Sequence, residues 1–129
     1  EISMYLLMKE RAITGKILSS IRDDARFGSC AVEVKVARGS TLYKGQLKEH
    51  QWRALTLANT HAVYWKIGDE GYGQKPFDGF ILKKTEAYLV VYFPVKPRAE
   101  IWAVPIKEMP IGASLTIARA RSIGINVRL

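Results

Sequence analysis

The stretch AVEVKV at residues 31 to 36 constrains the fold of this chain more than any other stretch. Side chains on a β-strand alternate between the two faces of the sheet. If these residues form a strand, three valines share one face, and Ala31, Glu33 and Lys35 share the other. Valines pack well on a pleated sheet, so their face predicts contact with a core. The other face places a carboxylate and an ammonium where they need either water or a function.

Apolar side chains at helical spacing predict the helices. A first helix is predicted over residues 4 to 21 and a second over residues 43 to 59, with Ser40 or Thr41 as its N-cap. A short helix is predicted at residues 114 to 121.

Short apolar runs bounded by turn residues predict the strands. Residues 61 to 67 and 100 to 106 each predict a strand, and Pro105 places the second at a sheet edge or a strand end. Residues 77 to 82 and 87 to 93 predict a β-hairpin. Helices and strands in this order predict an α/β domain with a mixed sheet.

Length and composition favour one soluble domain. A chain of 129 residues, 48% of them hydrophobic, can bury its own core, so we expect a single domain over residues 1–129. Cys30 is the only cysteine, which excludes an internal disulfide and a multi-cysteine zinc site. No apolar run reaches membrane-spanning length, and the first residues lack signal-peptide features. We therefore expect a soluble intracellular protein with no membrane partner.

The charge balance favours a polyanionic partner. Twenty Lys and Arg against twelve Asp and Glu give a net charge of +8, which favours nucleic acid ahead of an anionic membrane surface. The same cations could equally form solvated faces. Those that we expect to contact phosphate are Lys16, Arg38, Lys44, Lys75, Arg119 and Arg121.

Three polar residues interrupt apolar patterns elsewhere in the chain. Glu10 lies in the apolar stripe of the first predicted helix, and Gln51 lies in that of the second. Asp78 stands near two phenylalanines in a segment that reads as a strand, where Asp is disfavoured. Each could lie at the edge of its stripe or, for Asp78, at a strand start. Taken with the charged strand face, they favour a shared polar site, because a buried charge needs a partner or a metal.

These residue types suit the hydrolysis of a phosphodiester bond. A divalent cation held by carboxylates polarises the phosphate and generates hydroxide, and Mg²⁺ or Mn²⁺ prefers oxygen ligands. Asp78 and Glu33 could hold the ion with the backbone carbonyl of Val34, and Glu10 could bind indirectly or hold a second ion. Lys35 could stabilise developing charge or orient the attacking water. No small-molecule cofactor is expected.

Two motifs resemble those of a nuclease superfamily. VEVK at residues 32 to 35 resembles the E-x-K half of the PD-(D/E)xK motif, and KPFD at residues 75 to 78 resembles its P-D half. A glutamate on the first helix, as at Glu10, and a Gln on the helix after the E-x-K strand, as at Gln51, are similar to Holliday-junction resolvases of that superfamily. The set, over residues 10 to 93, looks most like small phage, viral or archaeal resolvases.

The resemblance implies a restriction-endonuclease-like mixed β-sheet flanked by helices, and Mg²⁺-dependent endonuclease activity. It also implies catalytic roles for Lys35, Glu33, Asp78, Glu10 and Gln51.

The order of the motif differs from the usual one, in which the Asp strand precedes the E-x-K strand. Asp78 follows Glu33 here, so we expect a rearranged strand order in which pairing brings Asp78 beside Glu33. Asp24 is the alternative ligand, and Asp69 is a weaker one.

The sequence thus predicts a structure-selective DNA endonuclease, with four-way junctions as the leading substrate. The alternatives are a non-catalytic DNA-binding or recombination accessory protein on the same fold, a general DNA nuclease, and a basic RNA-binding module. We expect the protein to be located in the cytoplasm of a prokaryotic cell, and a phage- or virus-encoded origin is one option.

A homodimer is also expected, because two symmetric cuts in a four-way junction need two sites. Apolar residues of the last third could form its interface or fill the monomer's core: Tyr88, Val90, Tyr92, Ile101 and Trp102.

Overall fold

The computed structural model describes residues 2–66, 77–109 and 113–129, without the side chains of residues 2–10, 65 and 66. Short 3₁₀ turns occur at Lys44–Gln46 and Ile106–Glu108. The helices and strands, in chain order, are α1 (Ile2–Arg22), β1 (Cys30–Val36), β2 (Thr41–Leu42), α2 (Glu49–Thr60), β3 (Val63–Lys66), β4 (Gly79–Leu82), β5 (Glu86–Phe93), β6 (Glu100–Pro105), β7 (Leu115–Thr116), α3 (Ile117–Ile123) and β8 (Ile125–Asn126).

Four strands form the main sheet in the order β1-β5-β6-β8, which leaves β1 at one edge. β1 runs parallel to β5, whereas β6 runs antiparallel to both β5 and β8. Two small antiparallel sheets pair β2 with β7 and β3 with β4. The predicted α/β architecture, a mixed sheet flanked by helices, is therefore confirmed at this level.

Different helices cover the two faces of the main sheet. α1 packs through Ile17 on the face that carries Val34 of β1. α2 packs through Leu55 on the opposite face. Because side chains alternate along β1, Glu33 and Lys35 lie on the α2 face.

The predicted hairpin between residues 77 to 82 and 87 to 93 is wrong. β4 pairs with β3, whereas β5 pairs with β1 and β6. Residues 87–91 of β5 are all buried, as is typical of a central strand covered on both faces. Both edges of β5 are occupied, so it offers none to β4. Pro105, in contrast, ends β6, as one of the two predicted options had it.

The second helix begins at Glu49, so its predicted start after Ser40 or Thr41 is also wrong. Thr41 belongs instead to the short strand β2. Gln51 supports the observed start, because its Oε1 atom accepts a hydrogen bond from the Lys48 backbone N–H at 3.0 Å. A side chain that reaches back in this way satisfies a donor that the first turn leaves unpaired.

The apolar side chains considered for a dimer interface lie mainly inside the monomer. Tyr88, Val90 and Ile101 are buried. Tyr92 and Trp102 are half-buried and pack against the cores on the two faces of the sheet. These residues therefore fill the core, which was the alternative reading of the same pattern.

A carboxylate at the start of β6 ties this strand to α3. Glu100 accepts hydrogen bonds from the Arg121 guanidinium at 2.9 and 2.6 Å, and from Trp102 Nε1 at 3.0 Å. These bonds, with those from Arg121 contributing most, lower the pKa of Glu100 from 4.5 to about 2. Arg121, a predicted phosphate contact, is thus engaged within the fold.

We expect Glu100→Gln to lower the free energy of unfolding at neutral pH and to cost less stability in acid. The folded pKa of about 2 lies below the ordinary value of 4.5, so the carboxylate's contribution is complete above pH 4.5 and declines as the pH falls toward 2. Urea unfolding at neutral pH and near pH 3.5 measures the difference. Glu49→Gln, in an exposed pair with Arg53, is the control and should change little. An equal loss at both pH values would contradict this account.

Candidate functional site

Glu33, Lys35 and Gln51 form one polar cluster between β1 and α2. The Oε1 atom of Glu33 accepts a hydrogen bond from Gln51 Nε2 at 2.8 Å and lies 3.8 Å from Lys35 Nζ. The Lys35 side chain is 12% exposed, and that of Glu33 is 31% exposed. The Lys35 charge has little access to water, and such a charge is costly unless it is paired. The structure thus brings together three of the predicted site residues, with Gln51 and Lys35 both in contact with Glu33.

The side-chain amide of Gln51 is fixed at both ends. Its Oε1 atom accepts from the Lys48 N–H, and its Nε2 atom donates to Glu33. The start of α2 therefore sets the orientation of the Glu33 carboxylate. Gln51 is accordingly a positioning residue, which explains a glutamine in the apolar stripe of the helix.

A second glutamine, absent from the sequence-based site, secures the end of β1. Gln46 Oε1 accepts from the Tyr43 N–H at 3.0 Å, and its Nε2 atom donates to the Val36 carbonyl at 3.0 Å. The sequence does carry a signal for this role. Gln46 lies three residues after Tyr43, the same spacing that Gln51 has from Lys48.

The backbone of β1 presents polar groups at the open edge of the sheet. The Ala37 N–H donates to the Tyr92 carbonyl of β5 at 2.9 Å, whereas the Val36 carbonyl points the other way, to Gln46. Backbone groups alternate in direction along a strand, so the Val34 carbonyl shares the direction of Val36. This predicted metal ligand therefore points to the edge that β5 leaves open.

Glu33 and Gln51 also line a pocket of about 710 Å³ between β1, α2 and the β3–β4 hairpin. Its walls are mainly apolar, with Leu55 from α2 and Leu82 from β4. Tyr64 of β3 lines it as well and is 64% exposed. The volume falls within the range of about 300 to 1,000 Å³ that small-ligand sites occupy. The polar cluster thus borders a cavity large enough for part of a substrate.

Asp78 is exposed and directly precedes β4. β4 pairs with β3, and β1 pairs with β5, so the predicted pairing that would bring Asp78 beside Glu33 is wrong. The physical reason is that the neighbour in sequence, β3, offers β4 a complete partner. Along β4, Asp78 lies four residues from the pocket-lining Leu82, ~13 Å of extended chain.

Asp24, the alternative ligand, is held in the turn after α1. It accepts hydrogen bonds from the Arg26 guanidinium at 2.7 Å and from the Arg26 N–H at 2.9 Å. These bonds lower the pKa of Asp24. Arg26 also donates to the carbonyl of Asn126 in β8, the edge strand opposite β1. Asp24 is therefore tied toward the far edge of the sheet, away from Glu33.

Three further predictions fall outside what the structure describes. Asp69 and Lys75 lie in residues 67–76, and only the backbone of Glu10 is described, within α1. Their proposed roles stay predictions.

Three exposed cations lie close in sequence to β2 and β7, the strands of one small sheet. Arg38 lies between β1 and β2, Lys44 follows β2, and Arg119 lies in α3 directly after β7. All three side chains are exposed. A hydrogen bond of 3.3 Å from the Lys44 N–H to Ser114 Oγ joins the two segments. Lys16 is also exposed, on α1.

The cluster offers a partial ligand set for a hard divalent cation. Among the residues that the structure describes, no three of His, Cys, Asp or Glu gather where they could hold a metal ion. Glu33 supplies one carboxylate, and the Val34 carbonyl adjoins it. Mg²⁺ is usually held by one or two carboxylates, with waters and substrate phosphates as the other ligands. The chemistry of these donors fits such an ion, and Glu33 supplies the lower of these two carboxylate numbers.

Comparisons of the chain with protein-family models, with curated proteins and with solved structures gave no match. The resemblance to nucleases therefore rests on the motifs of the sequence. Within the described ranges, no helix is long and apolar enough to cross a membrane.

Proposed function

We propose that this protein is a metal-dependent DNA endonuclease that hydrolyses phosphodiester bonds, with four-way junctions as the leading substrate. The observation that carries the proposal is the Glu33–Lys35 pair on an edge strand, held by Gln51 from the following helix. Within the described part of the chain, no strand pairs with the outer edge of β1, and Glu33 also lines a pocket. Both features suit a site that a phosphate must reach.

Each residue of the cluster has a role that its position supports. The Glu33 carboxylate and the Val34 carbonyl supply oxygen atoms suited to Mg²⁺ or Mn²⁺. Lys35 places a positive charge where a phosphate oxygen gains negative charge. Gln51 keeps the carboxylate of Glu33 in one orientation. A divalent ion held by Glu33 and the Val34 carbonyl would supply Lewis-acid chemistry toward the phosphate and the attacking water.

The charge of the chain supports DNA as the partner. A net charge of +8 favours a polyanion, and Arg38, Lys44 and Arg119 are exposed around one small sheet. Neutralising phosphates releases counterions, so binding should weaken steeply as salt rises.

A non-catalytic DNA-binding protein is the second candidate. One observation favours it: among the side chains that the structure describes, the cluster contains a single carboxylate, and strand pairing brings neither Asp78 nor Asp24 to Glu33. The same basic surface would serve this function without hydrolysis.

Cleavage assays on a small set of DNA substrates separate these functions. A four-way junction and a linear duplex of the same sequence are incubated with the protein in Mg²⁺, with and without chelator. We expect the junction to be cut in Mg²⁺ only, and faster than the duplex. Binding of both substrates without any cleavage would favour the second candidate. Equal cleavage of both would indicate a general nuclease.

Exchanging each candidate aspartate for asparagine tests which of them completes the metal site. Asp78 is exposed and strand pairing does not bring it to Glu33, so a loss of about 10²-fold in Asp78→Asn, typical when one charge-stabilising group is removed, would show that the bound substrate brings this carboxylate to the metal. Asp24→Asn should leave cleavage near the wild-type rate, because Asp24 is bound to Arg26. Single-turnover rates measure both. Normal cleavage by Asp78→Asn with a loss in Asp24→Asn would assign the ligand to Asp24 instead.

The proposal includes a two-fold homodimer, since one proposed site in each chain makes one cut. Light scattering at micromolar concentration should give twice the chain mass of 14.5 kDa. A monomer, both alone and on junction DNA, would count against junction resolution and favour a nuclease that cuts one strand.

A further inference from the structure

The pocket beside the polar cluster has a composition unlike that of a phosphate-binding track. Among the described residues that line it, Glu33 is the only Asp or Glu, and none is Lys or Arg. Most of the lining is aliphatic, and Tyr64 adds an aromatic ring. Nucleic-acid backbones are usually followed by Lys and Arg, so the backbone itself is a poor occupant of this space.

We propose that this pocket receives an unpaired base of the DNA substrate, with an adjacent phosphate at the Glu33–Lys35 pair. The inference rests on the proposed function, because it takes DNA as the partner and the cluster as the reacting site. The substrate class is DNA that has an unpaired nucleotide at the point of cleavage. Gaps, flaps and bulges belong to this class, as does a branch point whose innermost base pair opens, and a continuous duplex does not.

Three properties of the pocket suit a base. Its volume of about 710 Å³ lies within the range of small-ligand sites. Its aliphatic walls and the Tyr64 ring match the flat apolar faces of a base, which stack on aromatic side chains. His50 at the lining provides a polar group for the edge of the base.

The position of the pocket sets the preference among substrates. Glu33 lines the pocket and also belongs to the ion pair, so an occupant of the pocket lies next to the proposed reacting phosphate. A paired base enters such a pocket only after unstacking, which costs a few kcal/mol in a duplex and least for a base that is already unpaired. Substrates with a free base at this point therefore bind better.

Binding measured in chelator tests the inference without any need for cleavage. Fluorescence anisotropy compares three labelled duplexes: one fully paired, one with a single-base bulge, and one with an abasic residue at the bulge. We expect the base-bearing bulge to bind more tightly than the abasic one by about 5- to 150-fold, the range given by stacking of one base. Equal binding of these two duplexes by the wild-type protein would overturn the inference.

Two variants and a control assign this preference to the pocket. Tyr64 is 64% exposed, so Tyr64→Ala should fold normally and lose most of the preference, whereas Tyr64→Phe should keep it. Tyr43→Ala removes a tyrosine that is 52% exposed and lines a different pocket, and it should keep the preference too. A preference that survives in Tyr64→Ala would also overturn the inference.

The two proposals fail in different experiments. Cleavage in Mg²⁺ without any preference for the base-bearing bulge removes this inference and leaves the endonuclease in place. A base preference without cleavage under any condition supports the pocket assignment and removes the endonuclease.

Discussion

Glu33→Gln protein is expected to bind junction DNA at least as tightly as the wild type and to cut it at least about 10²-fold more slowly. The substitution keeps the shape of the side chain and retains an oxygen that can accept from Gln51, but it leaves Lys35 without the opposing charge. Thermal unfolding therefore accompanies the assay, and cleavage is compared at temperatures where the variant is folded. The substitution removes the only carboxylate of the cluster, and with it the charge that would hold a divalent cation. Loss of a negative charge near the DNA also lowers repulsion toward phosphate.

The control for this substitution is Glu49→Gln. Glu49 lies on the same helix as Gln51, is 77% exposed and pairs with Arg53 at 2.7 Å. Single-turnover cleavage and anisotropy binding should both remain at wild-type values. Wild-type cleavage by Glu33→Gln, with binding intact, would show that the Glu33 carboxylate takes no part in hydrolysis.

The second large effect is expected for Lys35→Met, which keeps the apolar stem and removes the charge. The Lys35 side chain is 12% exposed, and its Nζ atom lies 3.8 Å from the Oε1 atom of Glu33. A group that stabilises developing charge typically contributes about 10²- to 10³-fold in rate, so cleavage should fall by that factor. A lysine with only a structural role would change the free energy of unfolding and leave the cleavage rate of the folded protein unchanged.

Lys107→Met is the matched control, because Lys107 also pairs with a carboxylate, Glu86 at 3.2 Å, but is 55% exposed. Thermal unfolding of each variant separates stability from activity. Near-normal turnover by Lys35→Met, at temperatures where it is folded, would exclude a catalytic role for the ammonium.

The polar cluster could be predicted from the sequence because each of its members breaks a local rule. Glu33 and Lys35 place charges on a strand face, and Gln51 places an amide in the apolar stripe of a helix. Such groups need partners when they are buried, and here they partner one another. The dual role of Gln51 was not predictable, since it depends on where α2 begins.

Strand pairing could not be predicted in the same way. The short connection between residues 82 and 87 favoured a hairpin, but the apolar pattern of a strand does not specify its neighbours. β5 pairs instead with β1, and α2 and the β3–β4 hairpin lie between them in the chain. The predicted position of Asp78 beside Glu33 depended on a pairing of β4 with β1. β4 pairs with β3 instead, so that pairing was wrong.

A local sequence pattern also could not show whether these apolar strand residues lie in the monomer core or at a dimer interface. Tyr88, Val90 and Ile101 are apolar in either case, and only the packing of α1 shows that they are covered within one chain. Alternation identifies which face of a strand is apolar. It does not identify what covers that face.

The most direct test of the central claim is the position of a bound divalent cation. Mn²⁺ is paramagnetic and broadens the NMR signals of nuclei near it, so substoichiometric Mn²⁺ is titrated into ¹⁵N-labelled protein. We predict that the amide signals of Glu33, Val34 and Lys35 disappear first, and that Glu33→Gln abolishes this selective loss while Glu49→Gln retains it. Broadening centred on Asp23 and Asp24, or spread evenly over the acidic surface, would contradict a metal-dependent site at Glu33.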